Sequence, residues 1–129
     1  NRRLRSISRP RRRRQAIGLP SPVELGVLLA DLSGAPLCPV LDLPAAHLGD
    51  AMGLRSLDEV LAAWKPAPLV LAADACGPVG GLAPGQGEVD LRAALGQLAA
   101  EARLVFVPSP LLDEREILEG AASLRALRS

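Results

Sequence analysis

Aromatic residues are nearly absent from this chain of 129 residues, which has one tryptophan, one phenylalanine and no tyrosine. A hydrophobic core must therefore be built mainly from leucine, valine and alanine. Stacking of nucleic-acid bases on aromatic side chains is largely excluded for the same reason.

Cysteine and histidine are also scarce. Cys38 and Cys76 lie far apart, with no CxxC pattern and no histidine near either of them, so the sequence predicts neither a zinc site nor a disulfide framework. The single histidine, His47, has no partner at catalytic or metal-ligand spacing, and we interpret it as a structural residue. No apolar run reaches the length of a membrane span and no signal peptide is recognisable, which favours a cytoplasmic protein.

The net charge of +1 hides an uneven distribution of charge. The first 14 residues contain eight arginines and no acidic residue, whereas the rest of the chain has 7 basic and 14 acidic residues. This composition predicts a disordered basic arm or juxtamembrane linker over residues 1–22, followed by one domain over residues 23–129.

The arm has three possible uses that the sequence leaves open: contact with nucleic-acid phosphates, contact with anionic lipid, or solubility alone. The candidate residues for phosphate or membrane contact are Arg9, Arg11, Arg12, Arg13 and Arg14.

Three apolar runs, at residues 23–32, 68–73 and 104–107, predict β-strands. The last run is unbroken and rich in branched and aromatic side chains, so we expect it to form a central strand that is covered on both faces. Pro108 and Pro110 end it, because proline cannot donate a backbone hydrogen bond.

Helices are predicted between and after these runs. One short helix is expected from Pro44 to Gly49 or Gly53. A capping box of Ser56 and Glu59 opens a second helix that ends near Trp64. Apolar stripes predict two more helices, over residues 90–102 and 113–127. The sum is an α/β domain with a small, largely parallel sheet and flanking helices.

Polar residues that follow predicted strands are candidates for ligand binding, because ligands of open α/β sheets bind at the carboxyl ends of strands. Asp31, Asp74 and Ser109 occupy such positions, although for Asp31 we favour the interpretation that its own side chain caps the following turn. The five glycines between residues 77 and 87 look like a phosphate loop. The loop lacks the lysine and the Ser/Thr of GxxxxGK[ST], so we interpret it as a surface loop.

Four segments, taken in order, resemble a known family. They are GVLLADLSGAP, GLRSLDEVL from Gly53, PLVLAADACGPVGGLAP with its following helix DLRAALGQLAAEA, and LVFVPSPLL. Their succession resembles the P-loop ATPase domain of bacterial tyrosine autokinases. These are the cytoplasmic partners of polysaccharide chain-length co-polymerases, within the MinD/ParA-like group.

The chain departs from the family pattern at the groups that perform phosphoryl transfer. No phosphate loop precedes Val23, and the family's magnesium-binding aspartate corresponds to Val107 or Pro108, neither of which can bind a cation. The tyrosines that such kinases phosphorylate are absent. The resemblance thus implies a truncated or degenerate P-loop NTPase-like domain without a catalytic site. ATP and magnesium are expected, at Asp31 and Ser109, only if the site is not degenerate.

The resulting functional prediction is a non-catalytic interaction module in exopolysaccharide or capsule biosynthesis. The expected partner is a membrane co-polymerase or a catalytically competent paralogue, with the arginine arm at the inner face of the membrane. Two alternatives remain: a nucleic-acid-binding protein that uses its basic arm, and an enzyme that binds a phosphate or sugar nucleotide near Asp31.

Overall fold

The computed structural model describes residues 22–128, which form five α-helices and five β-strands. In chain order the elements are α1 (Pro22–Asp31), β1 (Val40–Asp42), α2 (Leu43–Ala51), α3 (Leu57–Trp64), β2 (Leu69–Leu71), β3 (Asp74–Cys76), β4 (Val79–Leu82), α4 (Leu91–Gly96), β5 (Arg103–Val105) and α5 (Glu114–Arg128). The basic arm and its candidate arginines lie outside the described residues, except that Pro22 begins α1.

The strands form two sheets. β1, β2 and β5 make a parallel three-stranded sheet in that order, and β3 pairs with β4 in an antiparallel hairpin. The predicted α/β class with a small parallel sheet and flanking helices is confirmed, and the hairpin is an addition that the sequence did not predict.

The order of the parallel strands follows the order of the chain, so both connections advance in the same direction across the sheet. Connections between neighbouring parallel strands are right-handed almost without exception. Two right-handed connections that advance in the same direction therefore place their helices on the same face of the sheet. The core agrees with this arrangement. Leu41 of β1 and Val70 of β2 are fully buried and cluster with apolar residues of α2, α3, α4 and α5.

The described residues cover the opposite face of the sheet incompletely. Because side chains alternate along a strand, two cross-strand rows point away from the core. These rows, which we call the open face, comprise Val40, Asp42, Leu69, Leu71, Arg103 and Val105. In the described part of the chain none of the six belongs to the buried core, and Val40, Arg103 and Val105 are exposed.

The prediction of a strand over residues 23–32 is wrong, because these residues lie in α1. A short apolar run does not distinguish a buried strand from a helix, and this run of ten residues is long for a strand. Asp31 is consequently the exposed last residue of a helix rather than a residue at the end of a strand.

The third parallel strand is instead β1, just before the helix predicted from Pro44, in residues for which the sequence predicted no element. The prediction that residues 104–107 form a central strand is also wrong, because β5 lies at the edge of the sheet and β2 occupies its centre. Val105 and Val107 are 38% and 54% exposed. Strand position depends on long-range pairing, which an apolar run does not encode.

The predicted helix starts are confirmed by their caps. The Glu59 amide donates to Ser56 Oγ at 3.2 Å, and the Ala93 amide donates to Asp90 Oδ1 at 3.1 Å. α4 ends at Gly96 rather than near Ala102, and Leu98 and Ala102 are buried outside the helix. At the end of α5, the Arg128 guanidinium donates to the carbonyl oxygens of Ala99 and Ala102 and so fixes this turn.

Candidate functional site

A cleft of about 300 Å³ lies at the carboxyl ends of the three parallel strands, where α/β proteins commonly bind ligands. The hairpin and the segment after β5 form its walls. The lining residues are Asp42, Pro44, Leu71, Ala73, Gly80, Gly81, Val107, Pro108 and Ser109.

Two glycines of β4 allow the hairpin to approach its neighbours closely. A Cβ atom on Gly80 would lie 3.2 Å from the Cβ of Pro44. Gly81 has a φ of +75°, and a Cβ there would lie 2.5 Å from the Ser109 nitrogen. The Ser109 amide donates to the Gly81 carbonyl oxygen at 2.8 Å, which ties the hairpin to the chain beyond β5.

The predicted site residue Ser109 lines this cleft, whereas Asp31 is absent from its lining. The hydroxyl oxygen of Ser109 accepts the Leu111 amide at 3.2 Å. The carboxylate in the cleft is Asp42, which sequence reasoning missed. An aspartate directly before Leu43-Pro44 was a usable signal, since it matches an N-cap before proline in the first turn. Asp42 Oδ1 indeed accepts the Ala45 amide at 3.1 Å.

The described residues of the cleft do not suit a phosphate. Among residues 22–128, its lining includes one carboxylate and no lysine, arginine or histidine. These lining residues would place a negative charge beside a phosphate and offer it no balancing cation. The cleft can instead accept hydrogen-bond donors, through Asp42 and the hydroxyl of Ser109.

The side chain of Asp74 holds the glycine-rich segment in place through hydrogen bonds to its backbone. Asp74 is 1% exposed, and its carboxylate accepts four backbone N–H bonds. The donors are Ala75 and Val89 to Oδ1, at 2.8 and 2.9 Å, and Gly85 and Gly87 to Oδ2, both at 2.9 Å. Such a cluster of amides is what a phosphate loop presents to its ligand. Here an internal carboxylate already occupies it.

The interpretation of residues 77–87 as a surface loop is therefore wrong in part. β4 forms one arm of the hairpin, and Ala83 is buried. The sequence pattern predicted that Asp74 follows a strand, whereas it belongs to β3. Its side chain is buried and is therefore not accessible to a ligand. Its sequence position alone could not reveal this, because the four donors extend as far as Val89.

A chain of three titratable side chains connects the hairpin to α2. Glu88 Oε1 accepts the Gly77 amide at 3.0 Å, and Glu88 Oε2 lies 3.5 Å from His47 Nε2. The Gly77 and Cys76 hydrogen bonds hold the pKa of Glu88 below its ordinary value. The hydrogen bond from the thiol to Glu88 raises the pKa of Cys76.

This arrangement is opposite to that of a cysteine nucleophile. A reactive cysteine requires a base or a positive charge that favours the thiolate, whereas the neighbour of Cys76 is an anion that favours the thiol. His47 contacts the carboxylate rather than serving as the base of a nucleophilic pair. Among residues 22–128, no group of three or more His, Cys, Asp or Glu side chains is suitable for a metal ion.

No helix within residues 22–128 combines the length and apolar character needed to cross a membrane. Comparisons of the chain with family models, with curated proteins and with solved structures gave no match.

Proposed function

We propose that this chain is a non-catalytic interaction module, an α/β domain that acts through protein contacts and not through phosphoryl transfer. The observation that carries the proposal is the occupation of the glycine-rich segment's amides by Asp74. A nucleotide phosphate would have to displace a buried carboxylate from four hydrogen bonds. Its own negative charge would oppose its approach.

The topology of the sheet supports the same conclusion. Open α/β sheets bind nucleotides where the strand order reverses, because the loops on either side diverge there and leave a crevice. The three parallel strands of the described residues run in chain order without such a reversal. Asp31, the carboxylate on which the alternative nucleotide site depended, lies at the end of a helix.

For the partner, the resemblance to polysaccharide-associated ATPase domains supports a membrane co-polymerase or a catalytically competent paralogue. The excess of arginine in the first 14 residues supports a position beside anionic lipid. An acidic domain behind a basic arm would be drawn to such a membrane by the arm alone.

The deciding experiment is calorimetric titration of the folded chain with magnesium-ATP and magnesium-ADP. We expect no saturable heat at nucleotide concentrations up to about 1 mM, which corresponds to binding weaker than about 4 kcal/mol. Micromolar binding, or ATP hydrolysis that is lost in Asp42→Ala, would contradict the proposal. Asp58→Ala, an exposed change in α3, serves as the matched control.

The role of the arm has a separate test. Flotation with vesicles that contain anionic lipid should retain the wild-type chain and release a variant in which Arg9, Arg11, Arg12, Arg13 and Arg14 are alanine. Neutral vesicles should bind neither protein. Binding to duplex DNA that falls steeply with salt and exceeds binding to anionic vesicles would favour the nucleic-acid alternative.

A second candidate function is favoured by the cleft itself. Its carboxylate and hydroxyl would hydrogen-bond a small polyhydroxylated ligand, such as the sugar of a sugar nucleotide, more readily than a phosphate. Titration with glucose, followed by the NMR shifts of the Gly81 and Ser109 amides, tests it. Saturable shifts that disappear in Asp42→Ala would support this function, and unchanged spectra would exclude it for glucose.

A further inference from the structure

One carboxylate oxygen of Asp42 is not engaged by any described residue. Asp42 Oδ1 accepts the Ala45 amide at 3.1 Å, which fixes the side chain as the N-cap of α2. Among residues 22–128, no group donates a hydrogen bond to Oδ2, and neither of the two ion pairs includes Asp42. The described part of the chain therefore leaves a negative charge at the cleft without a cation beside it.

The start of α2 offers little to an anion. Helix N-termini bind anions through backbone amides that have no other partner. Here Pro44 has no N–H, and the Ala45 amide is already engaged by Asp42. Beyond residue 14 the chain has 14 acidic and 7 basic residues, so the charge around the cleft also attracts a cation.

The walls of the cleft suit an aliphatic stem. Apolar side chains make up most of its lining, and its volume is about 300 Å³. A hydrogen bond of 2.8 Å from the Ser109 amide to the Gly81 carbonyl oxygen holds one wall in place, so little ordering is needed on binding. The lysine side chain buries its methylene groups along apolar surface and keeps a charge at its end.

The carboxylate of Asp42 suits an ammonium group better than a guanidinium group. A guanidinium forms its strongest pair with two free carboxylate oxygens, and here Oδ1 is already used by Ala45. An ammonium group is a compact charge with three donors and can bind a single oxygen. The hydroxyl oxygen of Ser109, which also lines the cleft, is a second acceptor.

A second cavity of about 160 Å³ adjoins the cleft and shares Asp42, Pro44 and Gly80 with it. This cavity lies between α2 and the hairpin, and Leu48 and Pro78 contribute to its mainly apolar lining. A small amine bound at Asp42 would leave the second cavity empty. A peptide fills both cavities when an aliphatic residue adjoins its lysine.

We propose that the cleft binds a lysine side chain of a protein partner, with the ammonium group at Asp42 and a neighbouring aliphatic side chain in the second cavity. The inference rests on the proposed function as an interaction module and names the chemistry that the module recognises.

The test is an NMR titration of the full chain with N-acetyl-lysyl-leucine amide. We expect the amide signals of Gly81, Ser109 and Gly77 to shift and to saturate below about 10 mM peptide. The same peptide acetylated on the lysine side chain should bind at least about tenfold more weakly, because acetylation removes the charge. Replacing the leucine by glycine should weaken binding about fivefold or more, because the second cavity is then left empty.

Asp42→Asn removes the charge of the site and keeps an oxygen for the Ala45 amide, because asparagine is also a good N-cap. This variant should bind the lysyl peptide at least about tenfold more weakly. Asp90→Asn is the matched control, since Asp90 caps α4 through the same type of bond and does not line the cleft. Its affinity should equal that of the wild type. Circular dichroism shows whether each variant is folded, and the acetylated peptide tests the charge on the wild-type chain independently.

The absence of saturable shifts, or equal binding of the acetylated peptide, would overturn the inference. Tighter binding of the arginyl peptide would overturn the choice of lysine, and butylamine that binds as tightly as the lysyl peptide would overturn the choice of a protein partner. Binding of magnesium-ATP in the calorimetric titration would instead contradict the interaction module, so the two failures are distinguishable.

Discussion

The amide of Gly87 donates a 2.9 Å hydrogen bond to Oδ2 of Asp74, at a position where no side chain fits. A Cβ atom on Gly87 would collide with the Ala75 carbonyl oxygen and with Asp74 itself. The glycine brings its backbone close enough to share a buried carboxylate with three other amides. Glycine thus allows the backbone of this segment to approach an internal anion closely.

Asp74→Ala should destabilise the fold strongly. The substitution leaves four backbone donors without their acceptor, of which the Ala75 and Val89 amides are buried and the Gly85 and Gly87 amides are partly buried. Each buried unsatisfied donor costs about 1–3 kcal/mol, so we expect a loss of about 2–6 kcal/mol in the free energy of unfolding, measured in urea. Asp90→Ala, which removes an exposed helix cap, should cost only about 1 kcal/mol. Similar losses for the two variants would show that the Asp74 hydrogen bonds contribute little.

Gly81→Ala should disrupt the join between the hairpin and the segment after β5. The new Cβ would lie 2.5 Å from the Ser109 nitrogen and 2.9 Å from the Val107 carbonyl oxygen, both of them backbone atoms. Gly34→Ala is the matched control, because Gly34 has a φ of +88° but nothing within 4 Å of its Cβ position. The control should cost about 1–2 kcal/mol from backbone strain.

Gly81→Ala should cost more than the control by about 1–3 kcal/mol, as expected for an overpacked site. Thermal unfolding followed by circular dichroism measures both variants. An equal effect at the two glycines would contradict the close approach at Gly81.

Cys76 should react slowly with alkylating reagents, and Glu88→Gln should accelerate the reaction. The thiolate is the reactive form, and the bond to Glu88 raises the pKa of Cys76 and so reduces the thiolate fraction near pH 8. Removing the negative charge shifts the pH profile of alkylation towards lower pH. Mass spectrometry of iodoacetamide labelling reports each cysteine separately, with the exposed Cys38 as the internal control. A rate at Cys76 that is unaffected by Glu88→Gln would exclude this coupling.

Glu88 should also contribute a pH dependence to stability. Its pKa is lower in the folded chain than in the unfolded chain, so the folded state favours the charged carboxylate. The contribution is present above the unfolded pKa and is lost as the pH falls through the folded value. Urea unfolding between pH 6 and pH 3 should show a smaller loss of stability in Glu88→Gln than in the wild type. Parallel curves for the two proteins would contradict the assignment.

Asp113→Ala should loosen the start of α5. The Glu116 amide donates to Asp113 Oδ1 at 2.8 Å, and the Asp113 amide donates to Glu116 Oε1 at 3.2 Å, which together form a reciprocal capping box. We expect a loss of about 1 kcal/mol in the free energy of unfolding. Asp58→Ala, at an exposed position inside the first turn of α3, is the control and should cost less. A larger loss in the control would show that the Asp113 cap is not the stabilising contact.

Local chemistry in the sequence was sufficient to predict the helix starts and the fold class. The side chains of Ser56, Asp90 and Asp113 each accept a hydrogen bond from the amide three residues later. Their role as helix caps can therefore be predicted from local sequence spacing. The apolar run around Val70 predicted the central strand for the same reason, although its central position was not recognised. The sequence by itself also determined the uneven charge and the absence of a phosphate-loop motif.

Only the tertiary structure decided which apolar runs became strands and what the polar residues contact. The run around Val27 forms a helix and β1 takes the third place in the sheet, because strand pairing joins residues far apart in the chain. For the same reason, only the folded chain brings Asp42 to the cleft. It also brings the amide of Val89, 15 residues away, to the buried Asp74 carboxylate. A sequence pattern records local preference, whereas burial and long-range hydrogen bonds arise only when distant segments meet.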